Sequence, residues 1–462
     1  MSPDEAAVPL PRYEGRQAVP LLGHAGSADV VARRDGEVLR VEDYLRDVAL
    51  LADALPDRRY VVNFCGDRYE FAVALGAAML RGQVCLLPPA QTPHLLTALA
   101  ERYAGLYAIC DAPADIPLPC TMRPRSSAGP GVVHALAFPA DQVAAIAFTS
   151  GSTGEPTAHE KTWGHLMAGA ASEASRFGLR DAGPVTLTGT VPAQHMYGFE
   201  STVLMGLHNG LALHCGRPFY PADVRAALAK QPEARVLVTT PVHLRALLAE
   251  EQSLPQLRLI VCATAPLATA MAAEAETRYG APVHEVYGFT EAGMVATRRT
   301  TEGPAWHALE GVELREDEAG VWVSGGHVPR AVTATDVLEV KDPHTFILHG
   351  RNADLINVAG KRTSLAYLTQ QTSDIPGVRD AAFFMPDDRG SEVMRVMAFV
   401  VAPDLTRAAV LAELRKRIDA AFLPRPLYMV EALPRNATGK LTREALAALA
   451  KRCASAPRLR GE

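Results

Sequence analysis

Through the middle of the chain the hydrophobic positions repeat one theme: a short apolar run, a turn, then apolar residues at helical spacing. Val143–Phe148 is one such run. After a Ser/Thr/Gly loop, Leu166, Met167, Ala170, Ala174 and Phe177 follow at i, i+3/i+4 intervals and predict an amphipathic helix. Arg235–Thr239 precedes Pro241 and VHLRALLAE, and Leu257–Cys262 precedes Pro266 and LATAMAAEAETRY. In both, proline stands where the first turn of a helix tolerates it. Strands alternating with helices predict an α/β fold of mostly parallel sheets with helices on their faces. Beyond about residue 310 the pattern changes. VELREDEAGVWVSGG, TATDVLEV and FILHG read as short, half-exposed antiparallel strands, and GRNAD (350–354) is a polar break. The segment after it has strand-like AAFFMP and VMRVMAFVV, and a helix expected from Arg407 to Phe422 with Val410, Leu411, Leu414, Ile418 and Phe422 on one face. A last helix is expected after Thr442 as its N-cap. The reading is a large N-terminal domain (1–350) of parallel sheets with a small antiparallel subdomain, a hinge (351–354) and a smaller α+β lid (355–462).

Composition narrows this little. The 462 residues are 48% hydrophobic and 21% charged, an ordinary globular balance long enough for more than one core. The net charge of −5 gives no basic field for nucleic acid. Seven cysteines without a C-x-x-C read as free thiols in a reducing compartment. The N-terminus lacks a signal-type apolar stretch, and Phe71–Leu80, the longest apolar run, is too short to span a bilayer. A cytoplasmic protein is the expectation.

Five segments offer chemistry. Thr149-Ser150-Gly151-Ser152-Thr153-Gly154-Glu155-Pro156 combines small residues with hydroxyls, which suits backbone N–H groups to phosphate oxygens; it also reads as a plain surface loop. It is neither a Walker A loop nor a nucleophile elbow. Tyr287-Gly288-Phe289-Thr290-Glu291 puts an aromatic face, a glycine for close approach, a hydroxyl and a carboxylate within five residues, or is a strand end with a capping Thr. Asp336 and Arg351 could hold ribose hydroxyls or form a surface ion pair. Lys440, in Asn436-Ala437-Thr438-Gly439-Lys440, is a point charge on a loop that could reach a cleft, though most loop lysines are merely solvated. His195, in Pro192-Ala193-Gln194-His195-Met196-Tyr197-Gly198-Phe199, could line an organic-acid pocket or sit satisfied in the core.

The five occur once each, in an order and at spacings that resemble the adenylate-forming superfamily of acyl- and aryl-CoA synthetases, peptide-synthetase adenylation domains and luciferase. The resemblance runs from about Asp141 to Arg443. It implies that Thr149, Ser150, Gly151, Ser152, Thr153 and Gly154 hold the β- and γ-phosphates of ATP. Tyr287 would stack on adenine, Gly288 would belong to the same nucleotide site, Thr290 would contact the α-phosphate, and Glu291 would bind Mg²⁺. Asp336 and Arg351 would take the ribose, and Ala263, Thr264 and Ala265 would line adenine and substrate. His195 would gate the acid pocket. Lys440 would bridge the carboxylate and the α-phosphate, and Val358-Ala359-Gly360-Lys361 would face a pantetheine tunnel after the lid rotates. The phosphate-loop pattern usually continues Pro-Lys-Gly. Here it continues Pro156-Thr157-Ala158-His159-Glu160-Lys161, which makes Lys161 the candidate stand-in. The hinge acid common two residues after the Arg is replaced by Ala353, with Asp354 next.

The resemblance implies ATP-dependent activation of a carboxylic acid to an acyl-AMP, then transfer to a thiol of CoA or of a holo acyl carrier protein, with no nucleic-acid partner. Only about 20 residues follow Lys440, so the carrier is expected to be a separate protein. GEPTAHEKTW and PAQHMYGFE also resemble short ligases of aryl-polyene and xanthomonadin-type pigment pathways, which implies an aryl acid such as a hydroxybenzoate. A fatty or hydroxy-fatty acid, and a homologue that binds nucleotide without catalysis, stay open.

Overall fold

The computed structural model of the protein describes residues 17–88, 91–122, 135–150, 156–180, 182–232, 234–351, 355–358, 361–386, 396–436 and 441–455. Its large part is built on two sheets. In the first, Val84–Leu87, Tyr60–Asn63, Tyr107–Cys110 and Cys120–Met122 run parallel with Val143–Ser150, and Pro156–Thr162 closes one edge antiparallel. In the second, of 11 strands, Val185–Gly189, Ala234–Thr239, Leu259–Cys262 and Val283–Phe289 form a parallel centre. Strands buried on both faces are near-continuous apolar runs, as Leu259–Cys262 is, with all four residues buried. The expected antiparallel strands then appear: Gly293–Arg299, Ala305–Ala308, Thr345–Arg351 and Asp336–Asp342 extend the same sheet, and Val312–Asp317, Gly320–Gly325 and Val328–Thr333 make a separate small one.

Helices Val41–Ala54, Arg68–Leu80 and Trp163–Arg176 lie in the main core. The apolar run at Phe71 is the body of Arg68–Leu80, buried nearly all round between sheets. No helix among the described residues is long and apolar enough to cross a membrane. The smaller part has its own cores around Asp380–Phe384, Met397–Val401 and Leu427–Met429, packed by helices Leu365–Ser373, Arg407–Arg417 and Arg443–Ser455. An ion pair joins the two parts: Asp380 receives Arg435 of its own part at 2.8 Å and Arg245 of the large part at 3.3 Å.

Four sequence expectations need correction. The phosphate-loop candidate is followed by a strand, Pro156–Thr162, and the helix starts only at Trp163. The helix after Leu259–Cys262 begins at Thr269, three residues past Pro266, because Pro266 lies in the connecting turn. The helix from Arg407 stops at Arg417. Ile418 is extended, Asp419 caps a separate 3₁₀ turn at Ala421 N, and Ile418 and Phe422 reach the same core from outside the helix. Among the thiols, Cys110 and Cys120 are joined as a disulfide between adjacent parallel strands, while Cys65, Cys85, Cys215 and Cys262 are free and buried.

Candidate active site

Parallel strands all point their carboxyl ends the same way, and the residues that leave those ends make one rim. Here the rim collects Thr190, Thr239–Thr240, Ala263–Ala265 and Phe289–Glu291, which follow the four central strands. The His195 segment is tied to it from within. The Tyr197 hydroxyl donates to Thr239 O at 3.1 Å and Val261 O at 2.9 Å, and His195 caps the short turn behind it, its Nδ1 accepting Tyr197 N–H. Arg68 holds the same segment from below. Its guanidinium is fully buried and donates to the carbonyls of Gly189, Val191, His214 and Gly216 and to Thr202 Oγ1. Burial without a carboxylate partner brings its pKa down to about 10.

The segment after Leu259–Cys262 carries backbone strain. Thr264 has φ +82°, a left-handed conformation that costs a β-branched residue, and its Oγ1 is buried with no hydrogen-bond partner among the described residues. Neither feature is visible in the run ATAP, which the resemblance placed beside adenine and substrate.

Tyr287, Gly288, Thr290 and Glu291 sit on the hairpin between Val283–Phe289 and Gly293–Arg299. Gly288 is required there: a Cβ would stand 2.4 Å from Gly293 O. The Tyr287 ring is only 6% exposed and packs edge-on against Phe346 and Trp306, and its hydroxyl donates to Asp336 Oδ2 at 2.8 Å. Asp336 and Arg351 are register partners across two antiparallel strands. The structure thus brings the Tyr287 and Asp336 side chains together.

The Glu291 carboxylate faces the phosphate-loop hairpin. Thr149 and Thr157 are partners on its two strands, and His159 Nε2 lies 2.9 Å from Thr149 Oγ1 and 3.7 Å from Glu291 Oε1. Burial lowers the His159 pKa, with Glu291 pulling it back up. Lys161 is buried, and its ammonium donates to the Glu291 backbone oxygen at 3.0 Å rather than pointing along the loop. Burial lowers its pKa against the pull of Glu200 and Glu291. Glu200, in the π-helical turn Phe199–Leu204, is pushed up to about 7 by burial, with Lys161 opposing. His159, Lys161 and Glu200 are the polar groups around this turn to which no role was assigned beforehand, apart from Lys161 as a stand-in phosphate ligand. The available signal was chemical oddity: a carboxylate inside the apolar run FESTVL, and HEK where Lys-Gly was expected.

Gly151, Ser152, Thr153 and Gly154, the hinge positions 352–354, Ala359, Gly360 and Lys440 lie outside the described residues, as do the side chains of Ser150 and Arg351. The flanks of the lysine segment are placed. Arg435 pairs with Leu441 in an isolated bridge, and its guanidinium is bidentate on Asp380, the same carboxylate that meets Arg245. Arg245 belongs to helix Pro241–Ala249, which starts at the rim with Thr240 as its N-cap. Through Asp380, the Arg435 flank is therefore linked to the large part at a helix that leaves the rim.

No group of three or more His, Cys, Asp or Glu side chains among the described residues could cage a metal. A lone carboxylate such as that of Glu291, beside the strands that flank the candidate phosphate loop, fits Mg²⁺, which keeps waters and takes most of its oxygens from substrate phosphates.

The sequence profile described as AMP-binding enzyme matches residues 61–344, and that of the AMP-binding enzyme C-terminal domain matches residues 371–440. The chain is 30% identical over 309 residues to a 4-coumarate–CoA ligase of Rhodobacter capsulatus, covering 66% of this chain and 76% of the relative. It is 25% identical over 357 residues to a 2-succinylbenzoate–CoA ligase of Staphylococcus aureus, covering 71% and 70%. Its fold superposes on O-succinylbenzoate coenzyme A synthetase from Bacillus subtilis, in complex with ATP and magnesium ion, with a TM-score of 0.76 at 18% identity, over 91% of this chain and 96% of that one. With profiles matching both of its parts, the chain belongs to the AMP-binding enzyme family, the adenylate-forming ligases.

Proposed function

We propose that the protein activates an aryl carboxylic acid with ATP and passes the acyl group to the thiol of CoA. A carboxylate is a poor acyl donor because oxide is a poor leaving group. In the first half-reaction a carboxylate oxygen attacks the α-phosphorus and pyrophosphate leaves. In the second, a thiol attacks the acyl carbonyl, its proton is released, and AMP departs. Asp336, oriented by Tyr287, holds the ribose with Arg351; Ala263–Ala265 flank the adenine; the Thr149–Gly154 loop takes the outer phosphates. Thr290 donates to the α-phosphate, and His195 borders the acid. Lys440 offsets the repulsion between the acid and the α-phosphate. Glu291 would hold Mg²⁺, which supplies charge neutralisation on the phosphates.

The observation that carries this reading is the Tyr287–Asp336 bond beside Glu291 at the carboxyl rim, in a chain whose relatives are named as CoA ligases of 4-coumarate and 2-succinylbenzoate. Those two acids are the reason for choosing an aryl substrate and CoA.

The test is a hydroxamate trap with a panel of aryl and fatty acids, followed by thioester formation with CoA and with a holo carrier protein. Signal with aryl acids and CoA supports the reading. Signal only with the carrier protein changes the acceptor, and signal only with fatty acids changes the substrate. No acyl adenylate from any acid, with nucleotide still bound, would leave a non-catalytic binder. Lys440→Ala should abolish ATP–pyrophosphate exchange and largely spare thioester formation from supplied acyl-AMP; unchanged exchange removes Lys440 from the mechanism.

A further inference from the structure

The turn that carries Glu291 is gripped at both ends by opposite charges from distant parts of the chain. On one side Lys161, 9% exposed on the edge strand Pro156–Thr162, donates to the Glu291 carbonyl at 3.0 Å. On the other, Glu200 accepts the Met294 N–H from the π-helical turn Phe199–Leu204. The glycine between makes this grip possible. Gly293 has φ +80°, and a Cβ there would stand 2.7 Å from Glu200 Oε1. A cation on a carbonyl and an anion on an N–H match the backbone dipoles, and charged hydrogen bonds are about twice as strong as neutral ones. Lys161 and Glu200 also attract one another. Breaking such a pair leaves the other charge buried and uncompensated, whereas replacing both together is far less costly.

Resting on the reading that Glu291 holds the divalent ion on ATP, we propose that Lys161 and Glu200 act as one positioning pair that fixes the Glu291 turn, and hence its carboxylate, toward that ion. Lys161 therefore acts through Glu291 rather than as a phosphate ligand. His159 Nε2 lies 3.7 Å from the same carboxylate, and His327 meets the Met294 end of the turn. An apolar residue at either position would pack, but would not hold the carbonyl or the N–H of the turn.

The probe is Mn²⁺ with a non-hydrolysable ATP analogue, with free Mn²⁺ followed by electron paramagnetic resonance on the full chain. AMP affinity without metal and thermal midpoint are recorded alongside. Lys161→Met and Glu200→Gln should each weaken Mn²⁺–nucleotide binding about tenfold while AMP affinity stays within twofold. The double variant Lys161→Met/Glu200→Leu should lose no more than the worse single variant, because neither charge is then stranded. Losing AMP affinity in parallel with Mn²⁺ would show a merely structural role and overturn the proposal, as would unchanged Mn²⁺ binding in both single variants. Glu291→Gln separates the two levels. If it abolishes the metal-dependent part while the single variants do not weaken it, only the pairing fails. If Glu291→Gln leaves metal binding intact, the assignment of Glu291 fails and the pairing with it. Should Lys161→Met not fold, Glu200→Gln, which keeps the size and an acceptor, carries the same comparison.

Discussion

Tyr287→Phe removes a single oxygen from the centre of the candidate nucleotide site. The ring stays where it is, because its neighbours are Phe346 at 5.4 Å and Trp306 at 5.8 Å between centroids and both packings need only the ring. What is lost is the 2.8 Å hydrogen bond to Asp336 Oδ2. A hydrogen bond to a charged group contributes about 1.5–3 kcal/mol net. If Asp336 reads the ribose, part of that loss appears in binding, and about 1.4 kcal/mol is tenfold in affinity. The expected result is a roughly tenfold weaker Kd for AMP and a similar rise in KM for ATP, with a thermal midpoint lower by only a few degrees. The assay pairs ATP with 2′-deoxy-ATP. The wild type should prefer ATP, Tyr287→Phe should reduce that preference, and Asp336→Ala should erase it. An Asp336→Ala variant that still discriminates the two nucleotides as the wild type does refutes the ribose assignment. A Tyr287→Phe variant with lowered stability and unaltered nucleotide affinity shows that the hydroxyl serves packing alone.

Arg68→Lys should destabilise the chain by about 2–5 kcal/mol in urea unfolding, since lysine can satisfy at most three of the five acceptors and stranded buried carbonyls cost about 1–3 kcal/mol each; a loss under about 1 kcal/mol contradicts the clamp. Glu173 is buried in helix Trp163–Arg176, and burial raises its carboxyl well above the ordinary value of 4.5. The fold therefore keeps a proton that the unfolded chain releases, so this contribution is complete below about pH 4.5 and fades as pH rises toward the folded pKa. Glu173→Gln should accordingly gain thermal midpoint relative to the wild type between pH 4 and pH 8, and a difference independent of pH contradicts the buried neutral acid. Thr264→Gly removes a left-handed strain of about 1–2 kcal/mol and adds back part of it as unfolded-chain entropy, for a net gain of about 0.5–1 kcal/mol. That gain should come with a lower acyl-adenylate rate if the strained hydroxyl serves the reaction, and a variant that is less stable than wild type would show that the strain is not real.

Local signals in the sequence were enough for the elements whose ends are set by nearest neighbours. Thr442 caps its helix through a backbone N–H three residues on, and Pro241 stands in the first turn of its helix, both as expected. The half-exposed runs after residue 310 became antiparallel strands because their alternation allows one buried face. The ordered segments also identified the family, and the Tyr287 hydroxyl does meet the Asp336 carboxylate. What failed was decided by strand pairing and core packing, which residue type and helical spacing do not show. The stretch after the phosphate loop became a strand because it pairs with Val143–Ser150, an edge that helical spacing further on concealed. The helix at Arg407 broke at Ile418 because the core accepts Ile418 and Phe422 from a different direction.

By itself the sequence determined the alternation of strands and helices through the middle of the chain, the Thr442 cap and the family, because these depend on residue type and short spacing. Only the tertiary structure decided that Lys161 would turn inward to a carbonyl 130 residues away, that Arg68 would hold a loop more than 120 residues on, and that Thr264 would be strained. Burial and hydrogen-bond satisfaction are properties of the assembled interior, where the partner of a buried charge is chosen by packing rather than by distance along the chain.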